Sequence, residues 1–69
     1  MITIKISLAA ARVNAKLTQQ ELAEKMHVSR QTVKKWESGE VKMKPAYLFL
    51  FCSITKTTED DILLPEKFA

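Results

Sequence analysis

The chain has 69 residues, 46% of them apolar, and carries 11 Lys/Arg against 8 Asp/Glu for a net charge of +3. A single cysteine excludes an intramolecular disulfide, no Cys/His group has zinc spacing, and the longest apolar run, AYLFLFC, is too short to span a bilayer. With only one glycine and two prolines, the composition fits one folded, helix-rich domain over 1–69, small enough for self-association to supply burial that the core lacks.

The start of the chain lacks a basic region followed by a long apolar stretch, so a cytoplasmic protein with no membrane partner is expected. The charge is uneven. Residues 1–44 hold nine Lys/Arg against four acids, and residues 45–69 hold two against four. That polarity points to an anionic partner, nucleic acid above all, facing the first two-thirds of the chain.

In chain order, MITIKI alternates Ile2, Ile4 and Ile6 with polar residues, the period of an extended arm over 1–6 with one buried face. Ser7 can cap a first helix whose Leu8, Ala11 and Ala15 share a face, with Arg12 at its border. Thr18 and Glu21 form a T-x-x-E capping box ahead of Leu22, Ala23 and Met26, which predicts a second helix. His27 and Val28 leave room only for a tight turn before Ser29 caps a third helix, so the two helices must cross steeply. On that third helix Val33 and Trp36 lie on one side and Arg30, Gln31, Lys34 and Lys35 on the other, and Gly39 closes it. Pro45 opens a fourth helix with Tyr47, Leu50, Phe51 and Ile54 on its apolar face. Thr58, with Asp61 three residues on, predicts a fifth helix stopped by Pro65, leaving residues 65–69 as a tail.

The stretch LTQQELAEKMHVSRQTVKKWESG resembles the Cro/CI-type (XRE-like) helix-turn-helix family of phage repressors and bacterial regulators, and the likeness extends over residues 8–64. The resemblance implies an all-α, five-helix, lambda-repressor-like DNA-binding domain with its helix-turn-helix at helices 2 and 3. It places Gln19 at the opening of the second helix, Ala23 where two helices approach closely, and Val33 beneath the recognition helix. It also implies that Arg12 and Glu37 form a structural ion pair between the first and third helices. His27 stands where the family has glycine, so a left-handed turn costing about 1–2 kcal/mol is expected there. The segment EVKMK is longer than the usual family loop.

A helix held down through Val33 and Trp36 can offer its polar side to the major groove of double-stranded DNA. Arginine pairs bidentately with guanine and glutamine with adenine, so Arg30 and Gln31 are the first candidates for base contact, followed by Lys35 and Lys34. Ser29 and Thr32 are candidates for phosphate or thymine-methyl contact. Gln19, at the amino end of its helix, fits a phosphate clamp both by the resemblance and because free amides there attract an anion. Lys16, Lys42 and Lys44 can add non-specific phosphate contacts, though simple solvation explains exposed lysines equally well.

A body of this length is about 28 Å across, whereas operator half-sites lie about 34 Å apart. The expectation is a homodimer on a near-palindromic operator, touching through Phe49, the 55–58 loop and the tail LLPEKFA; alternatively these residues close the monomer's own core. The functional expectation is a Cro-like repressor, encoded by a bacterium or phage and located at the nucleoid. The competing one is an antitoxin or adaptor of the same fold acting through its apolar fourth helix. No catalytic constellation, metal site, cofactor or small-molecule ligand is expected, Cys52 being a packed helix residue with no base beside it and His27 a turn residue.

Overall fold

The structure, a computed structural model, describes residues 5–64. Backbone and caps set the elements: strand β1 (Ile6–Ser7), helices α1 (Leu8–Asn14), α2 (Gln19–Met26), α3 (Arg30–Ser38) and α4 (Pro45–Thr55), a 3-10 turn (Glu59–Asp61) and strand β2 (Ile62–Leu63). Ser7 caps α1 by accepting from the amide of Ala10 at 3.0 Å. Thr18 and Glu21 close both halves of the capping box on α2, and Ser29 caps α3 through the amide of Thr32. Each cap satisfies donors that the first helical turn leaves free. Pro45 takes the first position of α4, where its missing N–H costs nothing.

His27 ends α2 at φ 58°, ψ 41°, the left-handed conformation expected there, and Gly39 ends α3 at φ 80°. Lys16 and Lys56 adopt the same region at φ 62° and 57°, two positions that no glycine or asparagine marks in the sequence. The tight turn after His27 crosses α2 and α3, and these two helices share the most extensive contact in the fold.

The core is built from Leu8 and Ala11 of α1, Leu22, Ala23 and Met26 of α2, Val33 and Trp36 of α3, and Phe51 and Cys52 of α4, with Ile62 closing it. Ala23 is fully buried where a larger side chain would push the helices apart. Truncating a side chain such as Phe51 to alanine would cost about 3–5 kcal/mol.

Three expectations are corrected. The fifth helix does not form: Thr58 and Asp61 bond as expected, with Asp61 accepting from the amide and hydroxyl of Thr58, but the chain makes a single 3-10 turn and then extends. Ile62 and Leu63 pair in parallel with Ile6 and Ser7, so the described residues hold four α-helices and a two-stranded sheet. Pro65 follows Leu64 in the sequence, and a residue before proline avoids the α conformation, so a helix begun at Thr58 has little length to gain. The buried face of α4 is also broader than expected: Phe51, Cys52 and Thr55 are buried, Leu48, Leu50 and Ile54 pack half-buried against the core, and Tyr47 is 37% exposed. Thr55 enters the core by donating its hydroxyl to the carbonyl of Phe51. Finally, the body is flattened, 37 × 32 × 19 Å with a radius of gyration of 11.4 Å, rather than about 28 Å in every direction. Its long axis exceeds the width expected from its length. Ile2 and Ile4 of the expected arm and residues 65–69 of the tail lie outside the described residues.

Candidate nucleic-acid interface

Helix α3 is anchored by Val33 and Trp36, both buried, and the indole of Trp36 meets the ring of Tyr47 with centroids 5.2 Å apart and a 46° tilt. That anchoring turns Arg30, Gln31 and Lys34 to solvent, while Lys35 is half-buried. Ser29 and Thr32 are occupied with the cap: the Ser29 hydroxyl accepts from the Thr32 amide at 3.1 Å, and the two hydroxyls are 2.9 Å apart.

A polar brace holds α3 from behind. Arg12 of α1 donates through Nε to Glu37 Oε2 at 2.6 Å and through Nη2 to Oε1 at 3.4 Å. Its Nη1 donates to the carbonyl of Leu17 at 2.8 Å, tying in the α1–α2 connection. Gln19 completes the arrangement by donating Nε2 to Glu37 Oε1 at 3.0 Å. One carboxylate thus joins three segments, with side chains only 15% and 11% exposed for Arg12 and Glu37. Gln19 is half-buried, and its amide keeps one N–H beyond the bond to Glu37.

In front of this brace opens a cleft of about 350 Å³ lined by Arg12, Leu17, Thr18, Gln19, Gln20 and Arg30. It lies at the amino ends of both α2 and α3; the Arg12 guanidinium there is paired with Glu37, so Arg30 supplies its positive charge. Amide groups, helix dipoles and arginine together attract an anion. Arg30 therefore reaches two regions, the outer face of α3 and the rim of this cleft. Gln20 was not among the sequence-derived candidates, although it borders the cleft; its Nε2 also bonds Glu24 at 3.3 Å. The signal for it, a second glutamine beside the capping threonine, carries no weight until the crossing of α2 and α3 is known.

The remaining candidates lie elsewhere. Lys16 is exposed just beyond α1, and Lys42 and Lys44 are exposed in the connection to α4, bordering a separate groove with Met43, Pro45 and Glu59. Among the described residues no three His, Cys, Asp or Glu side chains gather as a metal site, and no helix is long and apolar enough to cross a membrane.

Comparison with curated proteins and with solved structures gives no match. Comparison with family models matches residues 8–62 to the helix-turn-helix family, a span that contains the capped helix pair, the Arg12–Glu37 brace and the exposed side of α3. The chain belongs to the Cro/CI-type (XRE-like) helix-turn-helix family of DNA-binding transcription regulators.

Proposed function

We propose that the protein is a Cro-like repressor that binds a near-palindromic operator as a dimer and occludes a promoter from RNA polymerase. The observation that carries this reading is the two-sidedness of α3: its apolar residues are buried, its carboxylate is braced by Arg12, and Arg30, Gln31 and Lys34 are exposed, with Lys35 half-buried beside them. In this reading Arg30, Gln31, Lys34 and Lys35 meet base edges in the major groove. Gln19 spends its second N–H on a phosphate seated in the cleft, with Ser29, Thr32 and Lys16 beside the backbone and Lys42 and Lys44 adding long-range attraction.

The adaptor or antitoxin reading has one observation in its favour, the uncharged fourth helix with Phe49 exposed. Selection of bound duplexes from a random DNA pool separates the two. A repressor yields a two-fold symmetric consensus with half-sites about 10 base pairs apart, centre to centre, and an affinity that falls by about 0.9 log units per log unit of salt for each phosphate contacted. Recovery of no consensus would overturn the operator reading.

A further inference from the structure

We infer that Glu37 is a positioning residue for DNA binding: its carboxylate holds the Gln19 amide with nitrogen, not oxygen, turned to the phosphate that occupies the cleft. The inference rests on the phosphate contact proposed for Gln19 above and adds the group that fixes its polarity.

A carboxylate behind an anion site needs a reason. Left alone it repels a phosphate, and α3 is already held from behind by Val33 and Trp36. Arg12 offsets the charge, but the pairing is uneven: Nε lies 2.6 Å from Oε2, whereas Nη2 lies 3.4 Å from Oε1. An arginine and a carboxylate that serve only each other commonly form two parallel bonds of like length. Here Oε1 is nearer the Gln19 nitrogen, at 3.0 Å, than it is to Arg12. The guanidinium is anchored on its other side, where Nη1 donates to the carbonyl of Leu17 at 2.8 Å. Oε1 is thereby left mainly to Gln19.

The consequence for the amide follows from donor chemistry. A glutamine side chain ends in a carbonyl oxygen and an NH2 group, alike in size and opposite in hydrogen bonding, and an unrestrained amide can present either. A carboxylate paired with arginine only accepts, so it admits the nitrogen alone. With one N–H on Oε1, the second N–H of the same nitrogen is left for an anion in the cleft that Gln19 lines. The reverse orientation would set the carbonyl oxygen against the phosphate. Gln20 gives the contrast within the same cleft: it is exposed, and its Nε2 reaches Glu24 only at 3.3 Å, along the surface of its own helix.

The test is a double-mutant cycle on the full chain, with Gln19→Ala and Glu37→Gln, against the duplex recovered by random-pool selection. In Glu37→Gln the substituted amide keeps its oxygen on Arg12 and turns its NH2 to Gln19, which must answer with its own oxygen. The single variant is not decisive, because losing the carboxylate also frees the Arg12 charge for phosphate; the cycle cancels that gain. Gln19→Ala is expected to weaken binding roughly tenfold or more in the parent and less than about threefold in the Glu37→Gln background. An equal loss in both backgrounds, the result for a Glu37 that only stabilises the fold, would overturn the positioning and leave the phosphate contact standing. No loss in the parent would overturn the contact and the positioning with it. A second reading uses the parent alone and needs neither a folded variant nor an operator, since phosphate contacts do not depend on sequence. When a duplex of random sequence is added at low salt, the nuclear magnetic resonance signals of the two Nε2 hydrogens of Gln19 should respond unequally, the one on Glu37 staying and the other shifting. Equal shifts, or none, would overturn the positioning.

Discussion

Arg12 and Glu37, 25 positions apart in the chain, meet as an ion pair with Nε 2.6 Å from Oε2, and the same carboxylate accepts from Gln19. Because the pair is nearly buried, removing one partner strands the other charge where water cannot compensate it. Glu37→Ala should therefore cost about 2–4 kcal/mol in urea denaturation. The double variant Arg12→Met, Glu37→Leu, which removes both charges and keeps volume, should be more stable than Glu37→Ala. Equal losses in the two would mean that packing, not the charge, dominates at this position.

His27 occupies the left-handed region at φ 58° in the turn between α2 and α3. A Cβ there clashes with the following carbonyl at a cost of about 1–2 kcal/mol, part of which glycine returns through its larger unfolded-state entropy. His27→Gly should raise stability by about 0.5–1 kcal/mol, read as a higher melting temperature. A lower melting temperature would show that the imidazole makes a contact the turn depends on.

Local elements were legible where single residues carry a mechanism: Thr18 with Glu21, Ser29, Gly39 and Pro45 each mark a boundary that the structure keeps. The fifth helix shows the limit of that logic, since Thr58 and Asp61 bond as Thr18 and Glu21 do, yet Ile62 finds Ile6 as a strand partner. A capping box announces a start and says nothing of length. The breadth of the buried face of α4 has another cause. Apolar residues on every side make its period ambiguous, so both 47/50/51/54 and 48/51/52/55 read as a core face. Met43 is buried from within a loop, where no periodicity can signal it. The Arg12–Glu37 pairing entered through family resemblance alone, and the cleft joining Gln20 to Arg30 depends on how α2 and α3 cross, a tertiary property that local patterns do not carry.

Glu21 and Asp61 share an acid-sensitive design. Accepting from the backbone amide of Thr18, and then from its hydroxyl, holds the Glu21 carboxyl below its ordinary value; Thr58 does the same for Asp61. A carboxyl depressed on folding contributes stability that is complete above its unfolded-state value and is lost as the pH falls through its folded-state value. Stability should therefore decline as the pH drops below about 4, and the variant Glu21→Gln, Asp61→Asn, which keeps acceptors without charge, should decline less. Urea midpoints measured between about pH 6 and pH 2.5 provide the comparison. Parallel curves for variant and parent would place the acid sensitivity in other carboxylates. Glu21 is exposed and Asp61 only half-buried, so the difference is modest and shrinks with added salt.

Arg30 and Lys42 separate sequence reading from simple attraction. Arg30 begins α3 and lines the cleft beside Gln19, and in the proposed reading it meets a base edge, whereas Lys42 borders the groove at the start of α4. On the selected operator, Arg30→Ala should cost about 1–3 kcal/mol and flatten the preference at one base pair in each half-site. Lys42→Ala should weaken operator and scrambled duplex alike and lower the salt slope by about one contact per copy. Titrations of both variants against duplexes mutated one base pair at a time distinguish the roles. If Arg30→Ala weakens every duplex equally and lowers the salt slope, its guanidinium serves a phosphate in the cleft, and base reading passes to Gln31 and Lys34 farther along the exposed side of α3.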